Sequence, residues 1–258
     1  MKSYTDEFTP HDHRTCIGIR FRNCPSTVQP CVSACLDWSK GNLNAQLDLH
    51  YTDREELTEQ EIFDEGFSLE DDYRYQGNVP SVWIGPIKQL LQASRWTKKG
   101  IDEGGITLTP MEGSKSEGLK IPSNQEEWQL MAQDIIQAIY ELEKKEAPLT
   151  IQYRKVEREL ITDLSLTIHF SNREAVVLRS DVSKKISWEG AIDLMKFVFM
   201  PDYRYEQAKD TPGNKRGAYI ECGDGFWHEL GKGVVNSHAS VDAVGKIKAG
   251  FDRLLDAN

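Results

Sequence analysis

Leu43, Ala45, Leu47, Leu49 and Tyr51 alternate without a break with Asn44, Gln46, Asp48 and His50. A period of two sustained this long fits an extended strand with one buried face, because a helix would scatter the same apolar residues around its circumference. The pattern returns at Leu164, Leu166, Ile168 and Phe170 against Ser165, Thr167 and His169. The fold must therefore cover one side of a sheet at two distant places in the chain. The stretches also match in letters. LDLHYTDREE (47–56) lies over LTIHFSNREA (166–175), with Leu, His, Arg and Glu identical. Two readings stand: an internal duplication, or a coincidence between two alternating strands, since a true repeat extends over a longer period.

Around these strands the punctuation predicts mixed structure. CIGIRF (16–21) alternates as a strand. Pro30 opens a short helix carrying Cys31, Cys35 and Trp38 on one face and stopping at Gly41. Thr58-Glu59-Gln60-Glu61 is a capping box with Leu57 and Ile62 at the staple positions and Gly66 as a stop. Gly85-Pro86 starts a helix with Ile87, Leu90 and Leu91 inward. Ser123-Asn124-Gln125-Glu126 is a second box, leading a long helix with Trp128, Met131, Ile135, Ile139 and Leu142 in one stripe, ended by Pro148. Ser187 caps a helix through Ile192, Met195 and Phe199, stopped by Pro201. A last helix after Ser240 presents Val244, Ile247, Phe251, Leu254 and Leu255. Hairpins are expected at Ser171-Asn172 and across Gly223-Asp224-Gly225. No strict βαβα rhythm emerges, so the expected class is α+β, antiparallel sheets with packed helices, open to two duplicated halves. The expected division is an N-terminal half (1–105), a loop or linker (106–122) thin in apolar residues, and a C-terminal half (123–258).

Hydrophobic residues at 39% and charged residues at 28% place the 258-residue chain among globular proteins rather than disordered ones. No apolar run is long enough to cross a bilayer, and MKSYTDEFTPHDHR carries no apolar segment after Lys2, so neither a membrane span nor a secretory signal is expected. Five cysteines, Cys16, Cys24, Cys31, Cys35 and Cys222, are an odd count that fits a reducing compartment, and a cytoplasmic location is expected.

The charge is lopsided. The formal net charge is −10, and residues 53–72 hold ten acids (Asp53, Glu55, Glu56, Glu59, Glu61, Asp64, Glu65, Glu70, Asp71 and Asp72) against Arg54 alone, so −9 of it sits in one block. A block on a balanced background reads as a directed field that draws in a cationic partner; the plainer reading is a solvated flank. Phe63, Phe67, Tyr73, Tyr75 and Trp83 lie beside it as candidate aromatic anchors. The basic residues are dispersed, so no nucleic-acid footprint is expected.

Catalytic signatures are missing. No Walker loop, GxGxxG, HExxH or GxSxG occurs. His11, His13, Cys16, Cys24, Cys31 and Cys35 have zinc-ligand chemistry without zinc-ligand spacing. Cys222, Asp224, His228 and His238 fall close together, but the expected hairpin separates Cys222 from His228. His50 and His169 occupy matching strands and would share a metal only if the fold brought them together. From Asp53 the sixth residue is Thr58 where a calcium loop needs Gly. No cofactor or metal is expected.

DWSKGNLNAQLDL (37–49), a Trp-x-x-Gly followed by a polar–apolar stretch and then the acidic segment, resembles bacterial immunity proteins of polymorphic toxin systems. Trp38 and Gly41 carry the likeness, as structural positions. The resemblance implies a non-enzymatic protein that neutralises a contact-delivered toxin, often a nuclease, by occluding it. The alternatives left open by the residues are an enzyme of unreadable class, such as a cysteine- or metal-dependent hydrolase, and a structural subunit of a larger assembly.

Overall fold

Both alternating stretches are strands, and each lies inside an antiparallel sheet of six. A computed structural model describes residues 15–22, 29–38, 41–52, 57–64, 67–98, 105–112, 115–116, 118–158, 160–238 and 240–256. The chain divides into two compact units, Met1–Glu143 and Lys144–Asn258.

In the first unit β1 (Thr15–Arg22), β2 (Gln29–Asp37) and β3 (Leu43–Thr52) run as a meander. A short helix, α1 (Glu59–Asp64), interrupts the path to β4 (Tyr73–Val79), which completes it. Then follow α2 (Ile84–Ala93), β5 (Trp96–Thr97), β6 (Gly105–Glu112), β7 (Lys115–Ser116), β8 (Ile121–Pro122) and α3 (Gln125–Leu142). The sheet order is β4-β3-β2-β1-β6-β7. Tyr75, Leu47, Ala34, Ile19 and Leu108 stand opposite one another across five strands, one apolar row of the covered face. Helix α3 lies on that face, with the ring of Tyr140 edge-on to Tyr73 at 5.0 Å. Trp128 is fully buried and its indole N–H donates to Ser94 Oγ at 2.8 Å, which ties α3 to the end of α2.

In the second unit β9 (Leu149–Glu157), β10 (Leu160–His169), β11 (Glu174–Arg179) and β12 (Val182–Ile186) form another meander. Then come α4 (Trp188–Val198), β13 (Asp202–Tyr203), β14 (Gly217–Glu221), β15 (Trp227–Glu229), β16 (Val234–Val235) and α5 (Ala243–Asp256). The sheet order is β12-β11-β10-β9-β14-β15. Leu166 sits between Val177 and Ile151 in its core, and Tyr153 stacks on Phe251 of α5 at 4.6 Å. Gly250 lets α5 approach α4 closely: a Cβ there would meet Leu194 Cδ1 at 2.5 Å.

The two sheets share one topology. A four-stranded meander is followed by a helix, a strand that joins beside the first, a short strand beyond it, and a closing helix. The repetition is architectural, and the lettered match does not mark it. LDLHYT lies in β3, the third strand of its meander, whereas LTIH lies in β10, the second. Both are inner strands with one buried face, and that shared requirement produces the same alternation.

Four local expectations are corrected. Residues 29–37 are strand β2, not a helix: pairing with β1 on one side and β3 on the other outweighs the helical spacing of Cys31, Cys35 and Trp38. Residues 106–122 are not a linker. They contain β6, which pairs with β1 along its whole length and buries Ile106 and Leu108. The division falls at 143/144, so helix α3 belongs to the first unit. Helix α4 is capped by Ser187, whose Oγ accepts from Gly190 N at 3.2 Å, but it buries Ala191, Leu194 and Val198 and leaves Phe199 exposed.

The start of α3 differs from the expected box. Asn124 is the cap residue and makes no side-chain cap bond. Gln125 instead clips the helix to its neighbours: its Oε1 accepts from Ile106 N at 2.6 Å, and its Nε2 donates to Ile106 O at 2.9 Å and Pro122 O at 2.8 Å. Gln125→Ala is expected to destabilise the first unit by about 1–3 kcal/mol, because it strands backbone groups away from water. Hydrogen exchange at the Ile106 amide should accelerate; unchanged exchange would sink the assignment.

Candidate protein-binding surface

A meander needs only a tight turn between strands. The β11–β12 connection of the second unit obeys this: Ser180 and Asp181, at φ 45° and 67°, close it in two residues. The topologically equivalent β3–β4 connection of the first unit holds the acidic block instead.

Its described part is ordered by its own side chains. Thr58 Oγ accepts from Glu61 N at 3.3 Å and Glu61 Oε2 accepts from Thr58 N at 2.8 Å, the expected reciprocal box. The Thr58 backbone N–H is the main reason the Glu61 carboxyl is held below its ordinary range. Ile62 is buried and anchors α1. Gln60 donates to Asp64 at 2.7 Å, and the Ser68 N–H and hydroxyl both donate to Asp71. Asp72 accepts from Tyr51 N at 3.1 Å and meets His50 Nδ1 at 2.9 Å. The Gln60, Ser68 and Tyr51 donors are neutral, so these bonds fix the loop without cancelling its charge. Among the described residues no Lys or Arg pairs with Glu59, Glu61, Asp64 or Glu70. Asp53, Glu55, Glu56 and Glu65 lie outside the described residues.

The aromatic anchors are corrected. Tyr73 and Tyr75 are buried on the core face of β4, and Trp83 is fully buried. Phe67 is half-buried and packs on Tyr51 at 5.3 Å. Phe63, 48% exposed, is the expected anchor that does face outward, and Leu69, 50% exposed, joins it unforeseen. The sheet's pleat decides this: β4 buries alternate residues, and Tyr73 and Tyr75 fall on the covered parity.

Gly41 and Trp38 serve the β2–β3 turn. Gly41 N donates to Trp38 O at 3.1 Å with Gly41 at φ 79°, a backbone state that suits glycine, and Trp38 is buried.

The second unit gathers a different cluster. Cys222, Asp224 and His228 do come together, around Tyr203 and Tyr205 of the preceding segment. The Cys222 thiol donates to Tyr203 Oη at 3.3 Å, Tyr205 Oη donates to Asp224 Oδ2 at 3.1 Å, and both tyrosine rings stand at right angles to the His228 ring at 5.1 and 5.2 Å. His238 is exposed and takes no part in these contacts. Burial pushes the Cys222 thiol up to about 12, so at neutral pH it is a protonated thiol and not a nucleophile. Burial likewise lowers His228. The tyrosines gave no signal in the sequence, since β13 and the turn after it had no periodicity to read.

A hollow of about 240 Å³ in the same unit is lined by Lys209, Tyr219, Trp227, Glu229 and Lys232 among others. Lys232 and Glu229 already bond each other at 2.6 Å. Among the described residues no three His, Cys, Asp or Glu converge to hold a metal, and His50 and His169 belong to different units. His11, His13 and Cys24 lie outside the described residues. No described helix is long and apolar enough to cross a membrane. No family model, no curated protein and no solved structure matches the chain.

Proposed function

We propose that the chain is a non-enzymatic protein-binding protein whose β3–β4 connection captures a basic protein partner, and that it serves as an immunity protein, occluding a cognate toxin in the bacterial cytoplasm. One observation carries this reading. Of two units with the same strand order, one closes a corner in two residues while the other expands it into a folded acidic segment with Phe63 and Leu69 outward. Connections on a rigid sheet are where binding residues concentrate.

The charge follows the same division. Residues 1–143 contain 13 Lys and Arg against 24 Asp and Glu, whereas residues 144–258 contain 18 against 17. A field confined to one unit steers a cationic partner towards it, and the exposed Phe63 supplies apolar contact once the partner arrives. A nuclease fits this description because its own surface must attract phosphate. Occlusion asks for no catalytic group, in keeping with the protonated Cys222.

The test is co-expression with the product of a toxin-like gene adjacent to this one. Protection of the host cell, with a stable complex of the two purified proteins, supports the reading. Absence of any such gene, or death of the co-expressing cell, overturns it.

A further inference from the structure

His228 is placed as few histidines are. It lies at 0% exposure on β15, opposite Ile220 of β14, and among the described residues neither ring nitrogen has a hydrogen-bond partner. A buried imidazole without partners is costly unless it serves something. Its Nε2 is 4.0 Å from Asp224 Oδ2, about an ångström beyond a hydrogen bond. Asp224 is the tip of the β14–β15 hairpin, between Gly223 at φ 94° and Gly225 at φ 82°. Both flanking residues hold positive-φ backbone states that suit glycine, and both of their amides donate to Glu221 Oε1.

Asp224 also holds the surface above. It accepts from Tyr205 Oη through Oδ2 and from Phe226 N at 3.0 Å through Oδ1. Tyr205 and Phe226 are both exposed and their rings meet at 6.3 Å. The groups facing the imidazole are therefore Asp224 from the tip, Tyr203 from β13 and Tyr205 from the turn after it, with Cys222 behind Tyr203. On β14, Glu221 is occupied with the Gly223 and Gly225 amides and Gln152. Asp224 is the one charge felt at the ring among the described residues.

We propose that His228 and Asp224 form an acid-operated latch: protonation of the imidazole draws the Asp224 carboxylate onto Nε2–H, and the hairpin tip carries the exposed Tyr205–Phe226 pair with it. The neutral ring has no reason to pull the carboxylate, whereas an imidazolium in a buried setting gains a charge-assisted bond. Burial delays the change to below the ordinary imidazole value of 6.5, so the latch is open at neutral pH and closes on acidification.

The test is a pH titration of the full chain by NMR, reading the His228 ring, the Gly223–Phe226 amides and the Tyr205 ring. In the wild type all three should move with one midpoint below 6.5. In Asp224→Asn the imidazole midpoint should fall further and the tip signals should stop following it. His228→Phe should abolish the transition; should it not fold, Tyr205→Phe keeps the test, because without the hydroxyl that bonds Asp224 the ring now at position 205 should stop following pH while the tip amides still titrate. A ring that titrates while the tip stays still overturns the latch. So does a tip that moves equally in Asp224→Asn, or a ring that takes no proton before the chain unfolds.

Discussion

Reversing Glu59, Asp64 and Glu70 to Lys is expected to slow association with the cationic partner by about 10- to 100-fold at low ionic strength. The three side chains have no Lys or Arg partner among the described residues, and only Asp64 makes a local bond, to Gln60. The substitutions change the field and give up the Gln60–Asp64 bond, while the Thr58–Glu61 box and the Ser68–Asp71 bonds stay in place. Glu61 is spared because it closes the box with Thr58. Stopped-flow association at increasing salt should show the wild-type rate falling steeply and the variant's changing little, as screening shortens the reach of the field to about 10 Å at 0.1 M. Equal rates for both chains at low salt, with both folded by circular dichroism, would falsify the steering role of this segment.

Trp128→Ala is expected to cost about 3–5 kcal/mol, a large share of the stability of an ordinary domain. The indole is fully buried, and its loss also leaves Ser94 Oγ without the N–H that joins α3 to α2. The cost should register in the first sheet, where α3 covers β4 and β6, as loss of amide protection in β3 and β6. A drop in melting temperature of only a degree or two, with protection intact, would mean that the helix is held by something other than this side chain.

The inner strands were the most legible part of the chain. From Leu43 to Leu49 in β3 and from Leu164 to Ile168 in β10 every second residue is buried, and no other element tolerates that pattern. The Thr58 and Ser187 caps were legible for the same kind of reason, since each is a local bond between residues three apart. What failed was decided at long range. Cys31, Cys35 and Trp38 mimic a helical stripe, and only the presence of β1 and β3 on either side makes their segment a strand. Gly105, Thr107, Thr109 and Pro110 look like loop, yet Ile106 and Leu108 between them fill a place beside β1. The acidic block is plain as composition, but composition does not reveal the parity of β4 that turns Tyr73 and Tyr75 to the covered face. The equivalence of the β3–β4 and β11–β12 corners could not be read from letters at all. Strand order is a property of pairing, and the two units keep it with different residues.

That equivalence gives the protein engineer a splice point. One corner of this architecture already carries a folded passenger without losing its sheet, so the matching corner at Ser180-Asp181, now bare, should accept a grafted peptide or reporter of comparable length. A chain so modified would display two cargoes on twin scaffolds.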